Sequence, residues 1–67
     1  MITKIQQIAN ETRYSSNKAQ FVSDLYWKLF AAGIQVCIVN DKYIEFEGVT
    51  YQFINNRREM SYKVSAI

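Results

Sequence analysis

The chain predicts an α+β two-layer sandwich: two N-terminal helices packed on one face of a four-stranded antiparallel β-meander. Three observations predict it. Apolar residues recur every three to four positions as far as Ala32 and every second position from Ile34 onward, with Gly33 between the two regimes. Polar stretches divide the second half into four alternating segments. The turns between those segments each set a register that keeps the same apolar set on one face.

The first helix is predicted from about Lys4, because Thr3 and Gln6 have the spacing of a T-x-x-Q capping box. Ile5, Ile8, Ala9 and Thr12 then form one narrow stripe. The run Tyr14-Ser15-Ser16-Asn17 breaks the helix. Ser16 or Asn17 suits the N-cap of a second helix, and Asn17 with Gln20 repeats the capping-box spacing.

The second helix is predicted from about Lys18 to Ala32. Phe21, Val22, Leu25, Leu29 and Ala32 make its buried stripe, flanked by Tyr26 and Phe30. Gly33 suits the left-handed position that ends a helix. Trp27 falls nearly opposite Leu25, among Gln20, Ser23, Asp24 and Lys28. Two readings stay open: it packs under the first helix through Ile5 and Ile8, or it stands out as an aromatic anchor of the kind enriched at binding hot spots. Tyr14, in the interhelical turn, is a second such aromatic.

Four strands follow. Their inward residues are Ile34, Val36 and Ile38; Ile44 and Phe46; Val49, Tyr51 and Phe53; and Met60, Tyr62, Val64 and Ala66. A three-residue loop, Asn40-Asp41-Lys42, pairs Val39 with Tyr43, Ile38 with Ile44 and Val36 with Phe46. A two-residue loop, Glu47-Gly48, pairs Phe46 with Val49 and Ile44 with Tyr51. A four-residue loop, Asn55-Asn56-Arg57-Arg58, pairs Ile54 with Glu59, Phe53 with Met60, Tyr51 with Tyr62 and Val49 with Val64.

The opposite sheet face then carries Gln35, Cys37, Val39, Tyr43, Glu45, Glu47, Thr50, Gln52, Ile54, Ser61, Lys63 and Ser65. In this register Val39, Tyr43, Gln52 and Ser61 form one row, and Cys37, Glu45, Thr50 and Lys63 the next. Such a face is either ordinary solvated sheet or a protein-binding or dimerisation surface centred on Tyr43, Val39 and Ile54.

Composition bounds the rest. Sixty-seven residues make one domain, 1–67, without linker or repeat. The chain is 49% hydrophobic and 15% aromatic, too apolar for intrinsic disorder. One cysteine forms no disulfide framework within the chain, so packing must supply the stability, with oligomerisation as the other common remedy for a small core. The net charge of +2 is too small to imply nucleic acid or a membrane as partner. The N-terminus lacks the apolar region of a signal peptide, and the longest apolar stretches fall short of the roughly 20 residues a bilayer span needs. A soluble cytoplasmic protein is expected. Residues with AT-rich codons (Ile, Asn, Lys, Tyr, Phe) are abundant and Gly and Pro scarce, which hints at a phage or mobile-element origin.

No catalytic set assembles. Without histidine, the usual Ser or Cys nucleophile arrangements lack their base. Cys37 sits mid-strand, and Glu45 with Glu47 reads as a solvated acidic pair with no third carboxylate beside it. Metal-ligand spacing and a phosphate-binding glycine loop are absent, so no metal or cofactor is expected. Arg57 and Arg58 mark a basic hairpin tip of the type that can contact phosphate or an acidic protein patch.

The expectation is a non-enzymatic binding protein that occupies the surface of a protein partner, such as a phage-encoded modulator or inhibitor of a host factor. Trp27, Val39, Tyr43, Ile54, Arg57 and Arg58 are its candidate contact residues, and a homodimer stays open. The alternative is a small nucleic-acid-binding protein using Arg57, Arg58, Lys42 and Lys63.

Overall fold

A computed structural model describes residues 2–67; Met1 lies outside them. The element order is α1 (Ile2–Glu11), α2 (Lys18–Ala31), β1 (Cys37–Val39), β2 (Tyr43–Phe46), β3 (Val49–Asn56) and β4 (Ser61–Ala66). The strands form one antiparallel sheet in the order β1-β2-β3-β4, and both helices cover the same face. This is the predicted α+β arrangement.

The predicted stripe is buried: Ile5, Ile8 and Ala9 of α1, and Thr12 just past its end. Its beginning differs from the expectation. Thr3 lies inside the helix, which runs from Ile2, and Gln6 does not turn back to cap it. The Gln6 amide instead reaches β4: Nε2 donates to the Tyr62 carbonyl at 3.1 Å, and Oε1 accepts from the Val64 N–H at 2.8 Å. β4 is an edge strand, so these two groups face away from β3. Gln6 therefore satisfies part of an open edge, and a partnered edge is less prone to pairing with another chain.

Helix α2 starts on Asn17, whose Oδ1 accepts from the N–H groups of Ala19 and Gln20. The reciprocal half of the box is not made, because Gln20 Nε2 donates onward to Asp24 Oδ1. At the other end Gly33 takes φ +83°, its N–H donates to the Phe30 carbonyl, and the Ile34 N–H donates to the Leu29 carbonyl at 2.8 Å. That pair of bonds is a Schellman motif, and it seats Ile34 beside Leu29 in the core. Ala32 is the exposed C-cap and does not join the stripe. Ile34 and Val36 are buried as predicted, but the ladder begins only at Cys37, because Ile34 is held by the helix end.

The first two hairpins follow the predicted registers: Val39 opposite Tyr43, Ile38 opposite Ile44, Ile44 opposite Tyr51, and Phe46 opposite Val49. Asn40 and Asp41 both have positive φ, as do Glu47 and Gly48. Left-handed residues at both central positions give the turn twist that matches twisted strands. Glu47 is in this turn, so it is no strand neighbour of Glu45.

The third hairpin departs from the expectation. β3 continues through Asn55 and Asn56, and the turn is Arg57-Arg58-Glu59-Met60. Asn55 pairs with Tyr62, Phe53 with Val64 and Tyr51 with Ala66, a slip of four residues along β4 from the predicted register. An even slip leaves every side chain on its own face, so the apolar pattern cannot detect it. Local bonds close the turn that this register needs. Asn56 Oδ1 accepts from the Glu59 N–H, and Asn56 Nδ2 donates to Glu59 Oε1 at 2.8 Å, which closes the turn over residues 57–60. Met60 thereby leaves the core for an exposed, left-handed turn position. The slip brings Ile67 only as far as Thr50, whose carbonyl accepts its N–H, and Val49 one step further is partly exposed. Ile38 and Ala66, at the sheet margins, are exposed as well.

The core is a single cluster drawn from both helices, from Ile34 and Val36 ahead of β1, and from β2, β3 and β4. Its centre is aromatic. Phe21 stacks on Tyr62 with ring centroids 4.2 Å apart and meets Phe53 edge-on at 5.9 Å. Tyr14 is not an exposed aromatic: it packs on Tyr62 at 5.5 Å, and its hydroxyl donates to Asn55 Oδ1 at 2.8 Å.

Two outcomes follow from these bonds. Gln6→Ala removes two hydrogen bonds to β4 and lowers stability by about 1–2 kcal/mol in a urea titration, with faster exchange of the Val64 amide; an unchanged midpoint would mean that water replaces the side chain without loss. Glu47→Asn relieves a left-handed glutamate in the β2–β3 turn and raises stability by about 0.5–1 kcal/mol, read as a higher melting temperature.

Candidate functional site

The predicted contact residues separate into three places. Trp27 lies on the helical layer, whereas Val39, Tyr43 and Ile54 lie on the far face of the sheet. Arg57 and Arg58 sit in the β3–β4 turn.

Trp27 does not pack under α1. It is 61% exposed, in an aromatic cluster on the outside of α2. Its ring meets Tyr26 edge-on at 5.1 Å and Phe30 edge-on at 6.0 Å. Tyr26 is half-buried against the core, and Phe30 is 49% exposed. The reason is rotational. Lys28, Ala31 and Ala32 border a groove with Ile8 and Glu11 of α1, so that flank of α2 faces α1. At about 100° per residue, Tyr26 and Phe30 fall on the opposite flank and Trp27 on the solvent side. α2 is also the helix that touches β1, the other edge strand. The aromatic cluster therefore stands on the side of α2 away from α1, and the edge-to-face contacts hold the indole in place.

The far sheet face is more mixed than expected. Val39, Tyr43, Gln52 and Ser65 form one cross-strand row, all half-buried, in place of the predicted row ending in Ser61. Cys37, Glu45 and Thr50 form the next, and Ile67, not Lys63, reaches Thr50. The four-residue slip moves Lys63 directly opposite Ile54. Ile54 is 49% exposed and diagonal to Tyr43, but it now has a cation beside it. Val39, Tyr43 and Ile54 do share a face, Val39 opposite Tyr43 and Ile54 diagonal to it.

At the hairpin tip Arg57 and Arg58 are exposed. Glu59 is drawn under them by Asn56, which offsets their charge. Lys42 lies in the β1–β2 turn, at the same end of the sheet as Arg57 and Arg58, and Lys63 lies mid-strand in β4. Among the described residues no three of Cys, Asp and Glu form a group that could hold a metal ion. Among the described residues no helix is long and apolar enough to cross a membrane.

No family model matches this chain, and neither a curated protein nor a solved structure matches it. The surface chemistry alone bears on function.

One ionisable group is clearly perturbed. Burial raises the Tyr62 phenol above its ordinary value of 10.0; neighbouring Tyr14 adds to the rise and Arg57 opposes it. The Tyr62 hydroxyl donates to the Ser15 carbonyl at 2.6 Å, a bond that the phenolate could not make. The folded state thus disfavours ionisation more than the unfolded chain does, so the contribution of Tyr62 is intact below pH 10.0 and is lost as pH rises above it. Tyr62→Phe is expected to cost about 1 kcal/mol at neutral pH and to flatten the alkaline limb of a stability–pH curve. An alkaline limb of unchanged slope would remove this assignment.

Proposed function

We propose that this chain is a non-enzymatic binding protein that acts by occupying a surface of a protein partner, through the outer flank of α2. The exposed Trp27, held edge-on by Tyr26 and Phe30, carries the reading. Tryptophan and tyrosine are over-represented among the few residues that supply most of the energy of protein interfaces. An aromatic group that is already ordered loses little side-chain entropy on docking. Trp27 and Phe30 lie outside the core, so these two residues are free to serve recognition. Modulation or inhibition by occlusion is the mode that a small, convex aromatic surface supports.

The test is Trp27→Ala. Its melting temperature should stay within about 2 °C of the parent, because the side chain contributes little to the core. Capture of partner proteins from cells, run side by side with the parent, should lose the bound species. A melt lowered by about 8 °C or more would instead assign the indole to folding. Equal capture by both proteins would move the contact elsewhere.

A further inference from the structure

We infer that the α2 flank docks a second copy of this chain, through an antiparallel α2–α2 contact about a two-fold axis opposite Tyr26. The inference rests on reading that flank as a protein-binding surface and names its occupant.

The first support is the distribution of apolar residues. In α1 the buried apolar residues form one stripe, Ile5, Ile8 and Ala9. In α2 Phe21, Val22, Leu25 and Leu29 face the core, and Trp27 and Phe30 add apolar surface on the outside. The outer side of α2 therefore carries aromatic surface that the fold itself does not cover.

The second support is that the exposed face is complementary to itself. A two-fold axis relates each position to the one equally far on the other side of Tyr26. It sets Asp24 of one copy against Lys28 of the other, and the same pair repeats across the axis. Both residues lie on one flank of Trp27, the flank toward α1, and such an axis brings like flanks together. Asp24 is half-buried beside Arg13 and accepts from Gln20 on its own helix, and Lys28 is exposed at the edge of the groove it shares with Glu11. On the aromatic flank, Phe30 of one copy comes over Ala19 and Ser23 of the other, a large side chain against two small ones. The two indoles are offset along the helices by about 3 Å, two residue steps, so they meet across the axis.

The third support is magnitude. Full burial of an aromatic ring covers on the order of 150–250 Å². With Trp27 61% and Phe30 49% exposed, the contact covers a few hundred Å² on each copy. That is less than the roughly 800 Å² per partner of a standard stable interface, so the dimer is weak and reversible.

The chain has a single tryptophan, so its emission reports on this face alone. Sedimentation velocity and fluorescence are measured together from about 5 µM to about 1 mM. The expected result is a monomer–dimer transition accompanied by a blue shift of the Trp27 emission. Asp24→Lys should weaken association by about tenfold, and the charge swap Asp24→Lys with Lys28→Asp should restore it to within about threefold. Thermal melts of each variant confirm that it folds. A monomer over the whole range overturns the inference, and so does a dimer that leaves the emission unchanged or ignores Asp24→Lys. If the parent is monomeric while Trp27→Ala still loses capture of a different protein, the second copy is excluded and the α2 reading stands. If capture is equal as well, both fail.

Discussion

Tyr62 is the residue on which the two layers depend. Its ring stacks on Phe21 of α2 and packs on Tyr14 of the interhelical turn. Its hydroxyl donates to the Ser15 carbonyl, and its own carbonyl accepts from Gln6 of α1. One edge-strand residue thus joins both helices, the turn between them and the sheet. It is 2% exposed, so these hydrogen bonds act with little competition from water. The chain has neither disulfide nor histidine to staple it, and a domain of this size buries only roughly 60% of its unfolded surface. Under that constraint a side chain that fills the core, stacks on two rings and also bonds the interhelical turn contributes more than an aliphatic one.

The register of the last hairpin follows from the same cluster. Placing Tyr62 under Phe21 sets Asn55 opposite it, where Asn55 receives the Tyr14 hydroxyl. In the predicted register Tyr62 would face Tyr51, and Asn55 would sit in a loop without that bond. The alternation of Tyr51, Phe53, Tyr62 and Val64 was legible because burial imposes a period of two. The slip was not, because four is a multiple of two. Asn55-Asn56 resembles turn chemistry, and the bond that makes Asn55 a strand residue comes from a tyrosine 41 positions away. Gln6 is parallel: its spacing from Thr3 suggests a local cap, and besides Asn10 its partners lie 56 and 58 positions away. Local signals were reliable where local bonds decide the outcome, as at Asn17, Gly33 and the two turns with paired positive φ.

The candidate site was legible in part. Periodicity put Trp27 on the polar side of α2, and only the packing of α1 could decide whether it is covered there. α1 meets α2 on the flank of Lys28, Ala31 and Ala32, which leaves the indole out. The sheet-face candidates fared differently. Val39 and Tyr43 pair as read, but the shifted β4 brings Lys63 beside Ile54 and Ser65 beside Gln52, diluting the patch. A register error that preserves faces still rearranges rows, and a surface patch is a property of rows.

The balance between the two faces then rests on what each exposed residue does for the fold. Val39, Tyr43, Gln52 and Ser65 are half-buried, and pairing them supports the ladder whether or not anything docks on it. Trp27 and Phe30 are each at least 49% exposed, and they touch one another and Tyr26. Exposed aromatic surface of this kind raises the free energy of the isolated chain in water, by about 25 cal/mol for each Å² that a partner could cover. Helix propensity does not call for them, since aromatic residues form helices less readily than the Ala, Lys or Glu that could stand there. Neither Trp27 nor Phe30 belongs to the core cluster, and that excess of aromatic surface is what supports the proposed reading of the α2 flank.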